Sequence, residues 1–197
     1  GIYVANANSN DVSVINSQTN SLVTTIRVGK TPTSIAYNPV SHSLYVTNSG
    51  SDTLSVINAT TNNVVNTIKV GSSPLGTAVN PNTNVVYVTN GISNTVSVIN
   101  GTTNRIESSF MVGESPVGVT VNPESNITYV TNIGDNTVSI INDKMNDSRL
   151  STARITFGIT PINAGYIQCN GKNVGDGKYI VYQLKTNLDC KTNPSGN

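Results

Sequence analysis

Apolar residues along most of this chain come in short alternating bursts separated by polar turns. In Thr95-Val96-Ser97-Val98-Ile99, Val96 and Val98 alternate with Ser97. A period of two predicts a strand with one buried face and one wetter face. Asn100-Gly101-Thr102-Thr103-Asn104 follows as a turn, and Arg105 to Val112 reads as the next strand, closed by Gly113. Upstream, Leu75 to Val79 is a strand stopped by Asn80-Pro81, because proline ends a ladder and opens a turn. Val85 to Thr89 is another strand, followed by the polar turn Asn90-Gly91-Ile92-Ser93-Asn94. No stretch carries the 3.6-residue period of a helix.

The four-strand pattern recurs. Tyr3-Val4-Ala5-Asn6 returns as Tyr45-Val46-Thr47-Asn48, Tyr87-Val88-Thr89-Asn90 and Tyr129-Val130-Thr131-Asn132, 42 residues apart each time. Val28-Gly29, Pro32 and Asn38-Pro39 keep the same register in the later copies. A period of about 40–50 residues marks a propeller or solenoid array. One small sheet cannot bury its apolar faces alone, and radial stacking buries them while shielding most edges.

The expected fold is therefore all-β: β-propeller blades of four antiparallel strands, three to four of them, over residues 1–152, with a small C-terminal β module over 153–197. Blade one lacks its innermost strand. Blade four breaks register within Asn142 to Thr152, with its outer strand expected near Arg154 to Phe157. Three explanations stand side by side: a piece of a larger ring, a ring closed with other copies, or a first strand supplied by the C-terminal segment. Leu54, Val56, Val96 and Val98 are expected between sheets. The repeating tyrosines are assigned to packing, with their hydroxyls bonded at the rim. Gly29, Gly71 and Gly113 are assigned to positive φ or to close approach.

Beyond Ala153 the repeat fades. Ala164 to Gly171 reads as a strand with an Asn-Gly turn, and Gly175-Asp176-Gly177 as a second turn before a strand from Lys178 to Leu184. Asp176 is a single carboxylate, and a calcium loop needs several oxygen ligands. Cys169 and Cys190 are either free core thiols or one disulfide. The loop-like stretch between them and the Asn-, Ser- and Thr-rich composition favour the disulfide, and with it an oxidising compartment.

These repeats resemble the YVTN-repeat β-propeller family of archaeal surface-layer and other cell-surface proteins. The tetrapeptide stands three times literally, at Tyr45–Asn48, Tyr87–Asn90 and Tyr129–Asn132, and once as Tyr3-Val4-Ala5-Asn6. It is accompanied by Val96-Ser97-Val98-Ile99-Asn100, by Val112-Gly113-Glu114-Ser115-Pro116 and by Asn122-Pro123. The resemblance covers residues 1 to about 150. It implies four-stranded blades around a central axis and an extracellular structural or adhesive role. The chain departs from the family at Pro39-Val40, Pro81-Asn82 and Pro123-Glu124, where Asp-Gly is usual, so these turns are expected to be wider. Residues 153–197 are similar to Cys-containing extracellular modules that follow such propellers.

Charge and composition narrow the functional classes. Charged residues make up 11% of the chain, against roughly 25% in an average domain, and the net charge is +1. That argues against nucleic-acid binding, which needs clustered basic residues, and against a polybasic membrane contact. No apolar run approaches the roughly 20 residues of a membrane-spanning helix. The chain opens in a strand, Ile2-Tyr3-Val4, and reads as a mature product or a piece of a longer protein.

Polarity comes instead from 30 Asn and 25 Thr, which also create four N-x-S/T sequons at Asn58, Asn100, Asn126 and Asn146. These are candidate N-glycosylation sites, with Asn58 and Asn100 on equivalent turns. His42 is the one histidine, and Asn84 and Asn126 take its place in other repeats, so it reads as an exposed turn residue. No triad or zinc pattern is visible. Asp11, Asp52 and Asp135 are assigned to turn formation by bonding their own backbone.

No catalytic, cofactor or metal site is expected. The expected function is a non-catalytic extracellular scaffold, surface-layer or adhesive, whose partners are further copies of itself or other cell-surface proteins and glycans. A glycan- or small-molecule-binding propeller module is the alternative, and a propeller lyase-type enzyme a further one.

Overall fold

The computed structural model describes residues 1–142, 153–156, 166–169, 172–173 and 190–193. All regular elements among them are strands. The chain divides into a unit of residues 1–156 and a unit of residues 157–197.

The first unit is a series of antiparallel meanders. Strands β1 (Ile2–Asn6), β2 (Asp11–Ile15) and β3 (Leu22–Arg27) form a three-stranded sheet. Strands β4 (Pro32–Asn38), β5 (Ser43–Asn48), β6 (Thr53–Asn58) and β7 (Asn63–Lys69) form a four-stranded one. So do β8 (Pro74–Asn80), β9 (Val85–Asn90), β10 (Thr95–Asn100) and β11 (Arg105–Met111). The fourth sheet holds β12 (Pro116–Asn122), β13 (Ile127–Asn132), β14 (Thr137–Asn142) and β15 (Ala153–Thr156). Strand β15 pairs with β14, so the repeat unit extends past residue 152 to take it in. No sheet closes on itself. In the first sheet β1 stands where β5, β9 and β13 stand in the later ones.

Packing between consecutive sheets is densest along the inner strands, β4 with β8 and β8 with β12, and sparse between the outer strands β3 and β7. This splay is the geometry of propeller-like stacking. Three separate apolar layers fill the gaps. Val12, Val14 and Ile26 meet Leu44, Val46 and Ile57 between the first two sheets. Tyr45, Leu54 and Val56 meet Val86, Val88 and Ile99 in the next gap. Tyr87, Val96 and Val98 meet Val130 and Ile141 in the third. Neighbouring residues of one strand thus serve opposite layers, Leu44 and Val46 on one side, Tyr45 on the other. Each fully buried Val, Leu or Ile contributes about 1.5–3 kcal/mol.

That arrangement overturns one expectation. Ser97, assigned to the wetter face of its strand, is only 2% exposed, and Ser55 and Ser139 are buried likewise. A middle strand has no wet face because a sheet covers each side. The water-facing strands are the outer ones, where Val64 and Val65 of β7 are exposed.

Every turn of the repeat ends on a left-handed residue. Thirteen non-glycine residues have φ between 49° and 59°, and eight of them are asparagines, such as Asn20, Asn62 and Asn104. Asparagine tolerates this conformation better than other side-chain-bearing residues, which accounts for much of the asparagine content. His42, at φ 49°, holds the position that Asn84 and Asn126 hold in later copies, and its Nδ1 is 2.9 Å from the exposed Tyr37 hydroxyl.

In the second unit, β16 (Tyr166–Cys169) pairs with both β17 (Lys172–Asn173) and β18 (Cys190–Asn193). The register sets Cys169 directly across from Cys190. Their sulfur atoms, Asn146 and the Asp176 turn lie outside the described residues.

Candidate functional site

The tetrapeptide positions converge on the seams between sheets. Each of its three polar side chains takes a different direction, and together they form a repeated clamp.

Asparagine works within its own sheet. Asn48 Nδ2 donates to Thr53 Oγ1 at 3.1 Å and to Ser55 Oγ at 2.9 Å. Asn90 does the same with Thr95 and Ser97, and Asn132 with Thr137 and Ser139. Asn6 uses the Asp11 carboxylate and Ser13, both at 2.8 Å. The Oδ1 atoms of Asn48, Asn90 and Asn132 are buried with no partner, a desolvation cost of about 1–3 kcal/mol each that the surrounding packing offsets.

The repeating glycines explain how that amide fits. A Cβ on Gly71 would lie 2.6 Å from Asn90 Cγ, and one on Gly29 would lie 2.7 Å from Asn48 Cγ. Gly113 stands in the same relation to Asn132. Close approach therefore decides these glycines. Positive φ belongs instead to Thr31, Ser73 and Ser115, two residues further on.

Threonine reaches forward. Thr89 Oγ1 accepts the Gly76 N–H of its own inner strand at 2.8 Å and donates to the Val117 carbonyl of the next sheet at 2.8 Å. Thr47 accepts from Ser34 N at 3.0 Å and donates to the Leu75 carbonyl at 2.9 Å. The donating N–H sits where the inner strand shifts register, so the hydroxyl satisfies a donor left over by a bulge. In the first copy, Ala5 stands at the threonine position.

Tyrosine reaches furthest. Tyr45, fully buried, donates to Asn104 Oδ1 at 2.8 Å on the outer turn of the next sheet. Tyr3 donates to the Ala59 carbonyl at 3.3 Å, one sheet earlier. Tyr87 is likewise fully buried, and Tyr129 is half-buried in β13. Burial holds the Tyr45 hydroxyl above its ordinary titration range, with the Ser41 and Asn38 side chains pulling weakly the other way.

Asp52 and Asp135 act as acceptors for chain connections, and Asp135 and Asp11 also bond across their own turns, to Thr137 and Asn6. Asp52 Oδ1 accepts the Ser73 N–H at 2.8 Å, where Asn10 and Asn94 hold Thr31 and Ser115. Asp135 Oδ2 accepts the Glu114 N–H at 3.1 Å. Asp11 opens β2 and is bonded to Asn6. The structure therefore brings the tetrapeptide residues together with glycines that serve close approach, one of their two expected roles, and with turn acceptors that reach beyond their own turns. The 42-residue recurrence of Asn10, Asp52, Asn94 and Asn136 was the signal for the acceptors.

Of the sequons, Asn58 and Asn100 begin equivalent turns, each accepting two following backbone N–H groups on its Oδ1. Asn126 ends the β12–β13 turn at φ 54°. Among the described residues no three His, Cys, Asp or Glu side chains gather as a metal site, and no helix is long and apolar enough to cross a membrane. Two shallow grooves, both bordered by Asn62, run between the first two sheets.

No protein-family model matches the sequence, and no curated protein matches it. Solved structures do. Hydrazine synthase of Kuenenia stuttgartiensis superimposes with a TM-score of 0.69 at 21% identity, over 84% of this chain and 48% of that one. Dihydro-heme d1 dehydrogenase NirN, in complex with DHE, matches with a TM-score of 0.65 at 10% identity, over 78% of this chain and 34% of that one. A functionally unknown protein from Desulfotomaculum acetoxidans matches at 0.60 and 19% identity, over 80% of this chain and 54% of its own. The chain thus spans about half the length, or less, of these proteins. At such identities the likeness carries a β-propeller-like fold and no activity.

Proposed function

We propose that this chain is a YVTN-type propeller segment that serves as a non-catalytic structural or adhesive part of a cell surface, of the archaeal surface-layer kind. The observation that supports this reading is the direction of the signature side chains. Tyr45 and Thr47 turn inward and join one β-sheet to the next, while Asn48 turns inward to lock neighbouring strands of its own sheet. A binding pocket instead aims its few polar groups at a concavity. Joining of this kind gives a stiff, extensible stack.

The reading includes a Cys169–Cys190 disulfide and an oxidising, extracellular location. Support comes from the cross-strand register, since directly opposed residues stand about 4.5–5.5 Å apart at Cα, within the span a disulfide bridges.

Electron microscopy and light scattering of the purified chain test the reading. Ordered assemblies that grow with concentration are expected. A particle that stays monomeric and instead captures a defined glycan would replace the scaffold with a binding module.

A further inference from the structure

We infer that, among the described sequons, Asn58 is the modification site, and that it takes an N-linked glycan while Asn126 does not. The inference rests on the extracellular reading above, because only there does a sequon meet its transferase. All three described sequons offer the same N-x-T motif, and their surroundings separate them.

Glycan transfer needs two groups presented together: the asparagine amide nitrogen and the hydroxyl two residues on. At Asn58, Nδ2 has no partner among the described residues, and Thr60 is exposed with its hydroxyl uncommitted. Oδ1 is already engaged by the Thr60 and Thr61 N–H groups at 2.9 and 3.0 Å. The turn is therefore held by the oxygen, and the nitrogen of this half-buried residue carries no bond among the described residues. At Asn100, Nδ2 donates to Glu107 Oε1 at 2.7 Å, and the Thr102 hydroxyl accepts from Asn84 Nδ2 at 3.0 Å. The counterpart of Glu107 beside Asn58 is Val65, which offers no acceptor. At Asn126 the partner Thr128 is 0% exposed, and Asn126 Oδ1 accepts from Asn80 Nδ2 at 3.0 Å, a bond linking two sheets.

The step itself is a group transfer from a polyprenyl-diphosphate-linked sugar. Asn58 Nδ2 forms a bond to the anomeric carbon while the bond from that carbon to the diphosphate oxygen breaks. The lipid diphosphate leaves with the electron pair, and a base on the transferase takes one amide proton. Oδ1 keeps both of its backbone bonds throughout, so the product suits the same turn.

The test uses the folded chain, a purified oligosaccharyltransferase and its lipid-linked donor, read by glycopeptide mass spectrometry. Asn58 is expected to carry the glycan while Asn126 stays bare. Thr60→Ala should abolish that product and Thr60→Ser should retain it. Transfer mainly to Asn100 or Asn126, or none to the folded chain where the urea-unfolded chain is glycosylated, overturns the inference. Because the assay supplies the transferase, it is independent of where the chain resides. A failed scaffold reading would show as absence of assemblies, and a failed site as bare Asn58.

Discussion

The Thr89 hydroxyl donates to the Val117 carbonyl at 2.8 Å, tying a middle strand of one sheet to the inner strand of the next. The same oxygen accepts the Gly76 N–H at 2.8 Å. Thr89→Val keeps the shape and removes both bonds. It should cost about 1–3 kcal/mol, the usual penalty of orphaning buried backbone groups. Urea unfolding should show a lower midpoint with an unchanged slope. An unmoved midpoint would show that the clamp contributes nothing.

Gly71→Ala tests the contact with Asn90. The new Cβ would sit 2.6 Å from Asn90 Cγ, and forced overpacking of this kind costs about 1–3 kcal/mol. Asn90→Gly makes room for it, removing both the amide and the Asn90 Cβ that would lie 2.8 Å away. The double variant should therefore be less destabilised than the sum of the two single ones. Strict additivity would mean that the glycine answers to something other than the asparagine.

The left-handed turn ends give a third test. Asn20 is exposed, with φ 54°. Asn20→Gly should leave thermal stability nearly unchanged, while Asn20→Val should lower it by about 1–2 kcal/mol, the cost of a left-handed residue that carries a bulky Cβ. Equal stabilities for Gly and Val would reject backbone conformation as the reason for the asparagines.

Alkaline titration follows from the burial of Tyr45, which raises its hydroxyl above the ordinary value of 10.0. A group raised in the folded state stabilises fully below its unfolded value, and that contribution is lost as pH rises through the folded value. The protein should therefore begin to lose stability above about pH 10. Tyr45→Phe should flatten that loss while lowering stability near neutrality through the lost bond to Asn104. A wild-type stability curve with no slope in that range would contradict it.

Much of the architecture was legible in the chain. The 42-residue recurrence, the four bursts per copy and the late outer strand near Arg154 all follow from local patterns, because strand alternation and turn chemistry act between near neighbours. The asparagine content was visible, but its use at left-handed turn ends required seeing the backbone. The sequons were equally legible, yet nothing local distinguishes Asn58 from Asn126.

The repeat pattern alone therefore determined that this protein builds many small, similar sheets. Only the tertiary structure decided how they hold together. Ser97 loses its wet face because a second sheet covers it, Gly71 is a glycine because the Asn90 amide lies against it, and Thr89 and Tyr45 find partners 28 and 59 residues away. Those pairings depend on how one sheet lies on the next, and an alternation of period two is the same whether one face of a strand is covered or both.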